Sequence, residues 1–173
     1  MESASLEERC PFDLPAAAAT CLAMSLLTVS RLLSLPAALA VLECEAVSEG
    51  FRMITRLRNE WQTGANRFER EGEVLLGTFR ADRLLGIGGL NRDPYINDPR
   101  AGRLRHLYVM KDERRAGIGR DLVERILGHA TSNFDSVRLW TDRAASFYDR
   151  LGFDRVDGPK MTHVYLIRPS KSH

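Results

Sequence analysis

Apolar positions along the chain change period several times, and each change marks an element. The Ala- and Leu-rich stretch Leu14–Leu42 comes first, and its longest uncharged run, Leu14–Ser30, is 17 residues and contains Thr20, Ser25, Thr28 and Ser30. That is short of the roughly 20 mostly apolar residues of a membrane-spanning helix. The acidic start is also unlike the basic start of a secretory signal. The expectation is therefore a leader over 1–21, a strand near Met24–Ser30, and a helix opened by Pro36 and running to about Ser48. Gly50 breaks that helix. Phe51, Ile54, Leu57 and Trp61 then recur at helical spacing and predict a second helix over Phe51–Gln62.

The period then shortens. Val74–Phe79 and Leu84–Leu90 read as strands joined by a hairpin at Ala81-Asp82. The second run contains Gly86, Gly88 and Gly89, but Asn91 stands where a dinucleotide fingerprint needs its third glycine, and no helix follows. Glycines inside a strand mark a bulge or a close backbone approach. Asn91–Pro99 is polar and punctuated by proline, as a loop would be. Arg103–Met110 alternates as a strand, which puts Arg103, Arg105, Leu107 and Val109 on one face and Leu104, His106 and Tyr108 on the other. After the turn Lys111–Glu113, a helix carries Leu122, Val123, Ile126 and Leu127 on one side and Asp121 and Arg125 at ion-pair spacing on another. A strand at Val137–Thr141, a helix from Ala144 stopped by Gly152, and a last strand region reaching 167 complete the pattern.

Length and charge narrow the picture. The 173 residues suit one domain, expected over 22–168 with a tail at 169–173. Residues 1–50 carry a net charge of −5, so the remainder carries +7, and arginine outnumbers lysine by 22 to 3. An arginine-rich excess suits an anionic partner bound by the later two-thirds of the chain. Cys10, Cys21 and Cys44 are odd in number and not paired as CxxC, and the four histidines lack metal-ligand spacing, so the expectation is a cytoplasmic protein with no metal.

The chemistry concentrates between Arg103 and Ala130. Here a strand feeds Arg114-Arg115-Ala116-Gly117-Ile118-Gly119-Arg120, which opens a helix. The first turn of a helix has unpaired N–H groups and the positive end of its dipole, and glycines let a ligand approach them. This is the chemistry of a pyrophosphate cradle, although no GxxxxGK[ST] is present.

Arg114-x-x-Gly117-x-Gly119 after Leu107-Tyr108-Val109 resembles the acetyl-CoA-binding motif of the GNAT superfamily of N-acetyltransferases. Ala144–Phe153 is similar to the family's A-x-x-F/L-Y-x-x-x-G-F helix and turn, and the order of elements over about 24–167 matches as well. The resemblance implies a GNAT-like α/β (α+β) fold: a mixed, mostly antiparallel sheet of six to seven strands with a splayed motif strand, flanked by about four helices. It implies acetyl-CoA as co-substrate, with pantetheine along Leu107, Tyr108 and Val109. The diphosphate would sit on Arg114, Arg115, Ala116, Gly117, Ile118, Gly119 and Arg120. Tyr148 resembles the family's general acid for the departing thiolate. The family's frequent asparagine before that helix is missing, and Thr141, Asp142 and Arg143 stand in its region.

The implied activity is acetyl transfer to a primary amine by direct attack in a ternary complex; the other reading is a non-catalytic acetyl-CoA-binding or sensing module. Relatives often place Glu where Arg103 and Arg105 stand, so deprotonation runs through ordered water, or the acceptor carries an anion held by Arg105. His106 has the titration range of a base but alternation turns it from the acceptor, which suits a structural role. Asp93 and His163 are further base candidates. Asn66, Asn91, Arg92, Asp93 and Tyr95 are expected at the acceptor, a small-molecule or peptide amine. A homodimer is compatible with the sequence. Nucleic acid and membrane are not expected as partners, since no helix-turn-helix, stacking platform or long basic run is present.

Overall fold

The computed structural model describes residues 26–167. The expected leader 1–21, the start of the expected first strand, the outermost residues of the expected domain and the tail 169–173 lie outside the described residues. In chain order the elements are β1 (Leu27–Arg31), α1 (Leu39–Ser48), α2 (Met53–Thr63), β2 (Val74–Arg80), β3 (Arg83–Arg92), β4 (Ala101–Val109), α3 (Ile118–Ala130), β5 (Ser136–Leu139), α4 (Ala145–Arg150), β6 (Asp154–Gly158) and β7 (Met161–Leu166). Pro36 does not begin α1 itself. Its carbonyl accepts the Leu39 amide at 3.0 Å in a preceding turn, and the helix starts at Leu39.

The strands form one sheet in the order β1-β2-β3-β4-β5-β7-β6. Every neighbouring pair is antiparallel except β4 and β5, which run parallel. This is the mixed, mostly antiparallel GNAT-like sheet with four helices that the motifs imply. The parallel pair touches only at its start, through Ala101–Ser136, Gly102–Val137 and Arg103–Arg138. Beyond Arg103 the two strands diverge.

Each face of the sheet has its own core. One packs Leu104, Ile118, Leu122, Val123, Ile126 and Tyr148 under α3 and α4. The other packs Leu42, Ile54, Leu57, Ile87 and Tyr108 under α1 and α2. Both helix pairs present one apolar stripe to the sheet, so burial of that stripe, at about 25 cal/mol per Å², drives their docking. The glycines of β3 follow from close approach: a Cβ at Gly89 would lie 2.5 Å from the Phe68 ring.

The strict alternation expected along β4 fails. Ile87 pairs with Tyr108 and Gly89 with Arg105, so two β3 steps match three on β4. The extra residue is His106, with φ +59°, and the strand bulges there. Leu104 packs under α3, while Tyr108 packs under α1 and α2. Leu107 and Val109 join the α3 side, and Arg105 and His106 both face α2. The polar loop expected from Asn91 begins later. Asn91 and Arg92 still pair with Arg103 and Gly102, because main-chain ladders continue irrespective of side-chain polarity.

Candidate active site

The divergence of β4 from β5 opens a cavity of about 510 Å³. One wall is β4 from Arg103 to Val109. The other is the segment Leu139–Ala144 together with Tyr148, and Gly50–Met53 closes a third side. Leu107, Tyr108 and Val109, expected along pantetheine, line this groove. The Tyr108 side chain itself points elsewhere. Its hydroxyl donates to Glu45 at 2.9 Å and Glu49 at 2.7 Å, and burial between these carboxylates pushes its phenol far up.

At the far end of β4, α3 begins at Gly117, whose φ of +86° suits only a residue without a side chain. Arg115 just before it is also left-handed, at φ +66°. The first helical bond runs from the Asp121 amide to the Gly117 carbonyl at 2.9 Å, so the amides of Ile118, Gly119 and Arg120 point out of the helix end without partners of their own in it. A Cβ built on Gly117 meets nothing within 4 Å. There is open space at this helix start for an anionic group.

The three arginines expected around the cradle behave differently from one another. Arg114 is a strut: its Nε donates to the Val109 carbonyl at 3.0 Å and its two terminal nitrogens grip Glu49, beyond the end of α1. That grip, with the Tyr108 hydroxyl, lowers the Glu49 carboxyl to about 2. Arg120 pairs with Glu124 at 2.7 Å. Arg115 is exposed.

Tyr148 is only 7% exposed and lies among the rings of Phe147, Phe153 and His163, with centroids 5.0, 5.5 and 5.9 Å away. Burial holds its phenol well above the ordinary range, which keeps the O–H in place at the groove wall. α4 is set by Thr141, whose hydroxyl accepts the Ala144 amide at 3.0 Å. Gly152, at φ +85°, ends the turn that follows.

A second cavity of about 640 Å³ adjoins the first. Asn66, Asn91, Arg92, Asp93 and Tyr95, the residues expected at the acceptor, all line it. Arg56, Tyr95 and Arg105 line both cavities. Arg105 is not a free cation: its guanidinium donates to Glu60 Oε1 at 2.8 Å. Arg103 is buried, 3.4 Å from Asp93 and 2.7 Å from the Lys160 carbonyl, with Tyr95 stacked 4.6 Å away. The fully buried Asp93 carboxylate also faces Arg138 at 3.4 Å. Asp93 therefore holds the wall together, and a role as base does not fit a carboxylate enclosed by two guanidinium groups.

His106 is turned toward Arg105 and not away from it, because of the bulge. Its Nδ1 lies 2.8 Å from the Met53 carbonyl, so Nδ1 carries the hydrogen and Nε2 the lone pair. Burial, with Arg105 nearby, lowers the ring to about 3 and keeps it neutral. His106 Nε2 and Glu60 Oε2 are both buried, both without a partner, and 3.9 Å apart. Such an unmet group costs on the order of 1–3 kcal/mol. Glu60 escaped sequence reasoning: on the polar side of α2 it reads as a solvated residue, and only its tertiary pairing with Arg105, 45 positions away, sets it apart. His163 is buried behind Tyr148, with Nδ1 2.9 Å from the Thr162 hydroxyl. It does not line either cavity.

Among the described residues no helix is long and apolar enough to cross a membrane. Comparison with known proteins bears on the whole arrangement. Residues 45–164 match the family described as acetyltransferase (GNAT) domain. A crystal structure from Exiguobacterium sp. 255-15, assigned as an acetyltransferase, is 29% identical, with a TM-score of 0.74 over 81% of this chain and 93% of its own. A GNAT family N-acetyltransferase from Escherichia coli, solved in complex with CoA, is 16% identical with a TM-score of 0.63, covering 82% of each chain. Glucosamine-6-phosphate N-acetyltransferase from Arabidopsis thaliana is 14% identical with a TM-score of 0.54, over 78% of this chain and 96% of its own.

Proposed function

The chain belongs to the GNAT acetyltransferase family, and from that premise we propose that it transfers the acetyl group of acetyl-CoA to the nitrogen of a primary amine by direct attack in a ternary complex. The observation that carries this reading is the groove between β4 and β5, which has Tyr148 on its wall and runs to Val109 and Arg114, a few residues before the open start of α3. Pantetheine runs along the main chain of Leu107, Tyr108 and Val109, and the diphosphate rests on the amides of Arg115 to Arg120. The E. coli relative solved with CoA supports this choice of co-substrate.

The nitrogen attacks the thioester carbon, the C–N bond forms, and the C–S bond breaks. Tyr148, kept as a phenol by burial, hands its proton to the departing thiolate. Most of the rate comes from holding amine and thioester in line, and the acid adds about 10²-fold or more.

Thermal unfolding with acetyl-CoA, followed by thiol release across a panel of amines, tests the reading. Acetyl-CoA at about 100 times its dissociation constant stabilises the fold by about 2.7 kcal/mol. Tyr148→Phe lowers kcat by about 10²-fold while acetyl-CoA affinity holds. No stabilisation at millimolar acetyl-CoA overturns the assignment. Binding without thiol release from any amine assigns the chain a sensing role instead.

A further inference from the structure

Nine charged side chains line the second cavity, five arginines and four acids. Three of the four acids are already engaged by the fold. Glu60 holds Arg105 at 2.8 Å. Asp93 faces Arg103 and Arg138, neither of which lines this cavity. Glu73 is 4% exposed, and its two carboxylate oxygens accept main-chain amides, from Arg70 at 3.3 Å and from Arg92 at 3.1 Å. Glu69 is the one exposed acid of the lining.

The arginines are in the opposite state. Arg56, Arg67, Arg70 and Arg92 are all exposed, and none of them is ion-paired among the described residues. Arg67 donates its Nε to the Trp61 carbonyl at 3.0 Å. Glu73 decides where two of the others stand. One carboxylate ties the main chain of Arg70, before β2, to that of Arg92, at the end of β3, and both side chains line the same cavity. Cations gathered around a concave space repel one another and focus a positive field into it, and a bound anion relieves the repulsion.

We propose that Arg70 and Arg92, with Arg56 where the two cavities meet, bind an oxyanion carried by the acceptor, a carboxylate or a phosphate, so that the acceptor is an anionic amine. This deepens the acetyltransferase reading and rests on it. Arg56 lines the groove as well as the second cavity. An anion held beside it leaves the amine of the same molecule directed toward the groove. The planar fork of a guanidinium matches either oxyanion, and a cavity of about 640 Å³ takes a small molecule. Arg105, where the sequence placed such an anion, is neutralised by Glu60. The free cations stand around it instead.

Two measurements on the full chain test this. The first needs no turnover. Citrate and inorganic pyrophosphate, a carboxylate and a phosphate probe, are titrated calorimetrically into protein holding CoA, which fills the start of α3. At least one is expected to bind, and its Kd to rise about tenfold or more when Arg56→Ala and Arg92→Ala are combined. Arg125→Ala combined with Arg155→Ala removes the same charge away from both cavities and should change that Kd by less than about twofold. The probe that binds tells carboxylate from phosphate. Binding of neither, or equal weakening in the two double variants, overturns the anion site. The second measurement compares kcat/KM within matched pairs, phosphoethanolamine against ethanolamine and γ-aminobutyrate against its amide. Wild type is expected to prefer the anionic member of at least one pair by about tenfold or more, and the Arg56→Ala, Arg92→Ala variant to bring that ratio within about twofold of one. A preference for the neutral members, or one that the variant keeps, overturns the anionic acceptor. If none of the four is acetylated, the titration decides. If wild type fails to bind acetyl-CoA, the acetyltransferase reading falls, and the same titration without CoA still decides the anion site.

Discussion

The two cavities that meet at Arg105 are built from different material. The groove between β4 and β5 is a main-chain site: a strand without a neighbour on one side, then helix amides beyond Gly117. The second cavity is a side-chain site, assembled from α2, the segment between α2 and β2, β3, the loop after β3, and β4. A main-chain site depends on the path of the backbone and tolerates many side chains. A side-chain site changes its ligand whenever one residue changes. The same fold can therefore keep one co-substrate while its acceptor varies.

The sharpest way to break this contrast is to remove the charge that holds the side-chain site. Asp93→Ala leaves the buried Arg103 and the half-buried Arg138 without their shared carboxylate. The expected loss is about 3–5 kcal/mol in denaturant unfolding. A loss below about 1 kcal/mol would mean that the wall does not depend on this cluster.

On the main-chain side, Gly117→Val forces a branched side chain into φ +86°. It should cost about 1–2 kcal/mol of stability and weaken acetyl-CoA binding, read by titration, by about tenfold or more. Arg120→Ala, which leaves the path of the backbone alone, should change that affinity far less. Equal effects would place recognition in the guanidinium groups after all.

The smallest expected effect concerns the Arg114 strut at the end of β4. Glu49 titrates at about 2 instead of its ordinary 4.5, chiefly through its bonds to Arg114 and then Tyr108. A lowered carboxyl adds stability above the unfolded value and loses it as pH falls toward the folded one. The advantage of wild type over Glu49→Gln, followed as the urea midpoint, should be present at pH 6 and fade between about pH 5 and 2. An advantage that persists at pH 2 would show that the carboxylate charge is not what holds Arg114.

The same contrast explains what could be read in the sequence. Gly117, Gly119 and Gly152 are legible because each answers a local demand of the main chain, and the stripe Ile54–Leu57–Trp61 shows the docked face of α2. The bulge in β4 is not legible, since neither glycine nor proline marks it and a histidine takes the left-handed position. Alternation then runs one residue out of step, which misplaced His106. Glu60 and Arg105 are ordinary charged residues until tertiary structure sets them 2.8 Å apart. Asn91, Asp93 and Tyr95 were traceable to one place because they cluster in the chain as well as in space.

The early parting of β4 and β5 has a consequence beyond ligand geometry. A strand edge with free hydrogen-bonding groups usually lies at the rim of a sheet, where it invites a strand from another molecule and leads to aggregation. Here such an edge is set inside the sheet, between two strands that are paired at their start. There the unpaired stretch of β4 faces Leu139–Ala144 across the groove. The unpaired stretch is flanked on both sides by strands of its own sheet, away from the rim where pairing between molecules takes place.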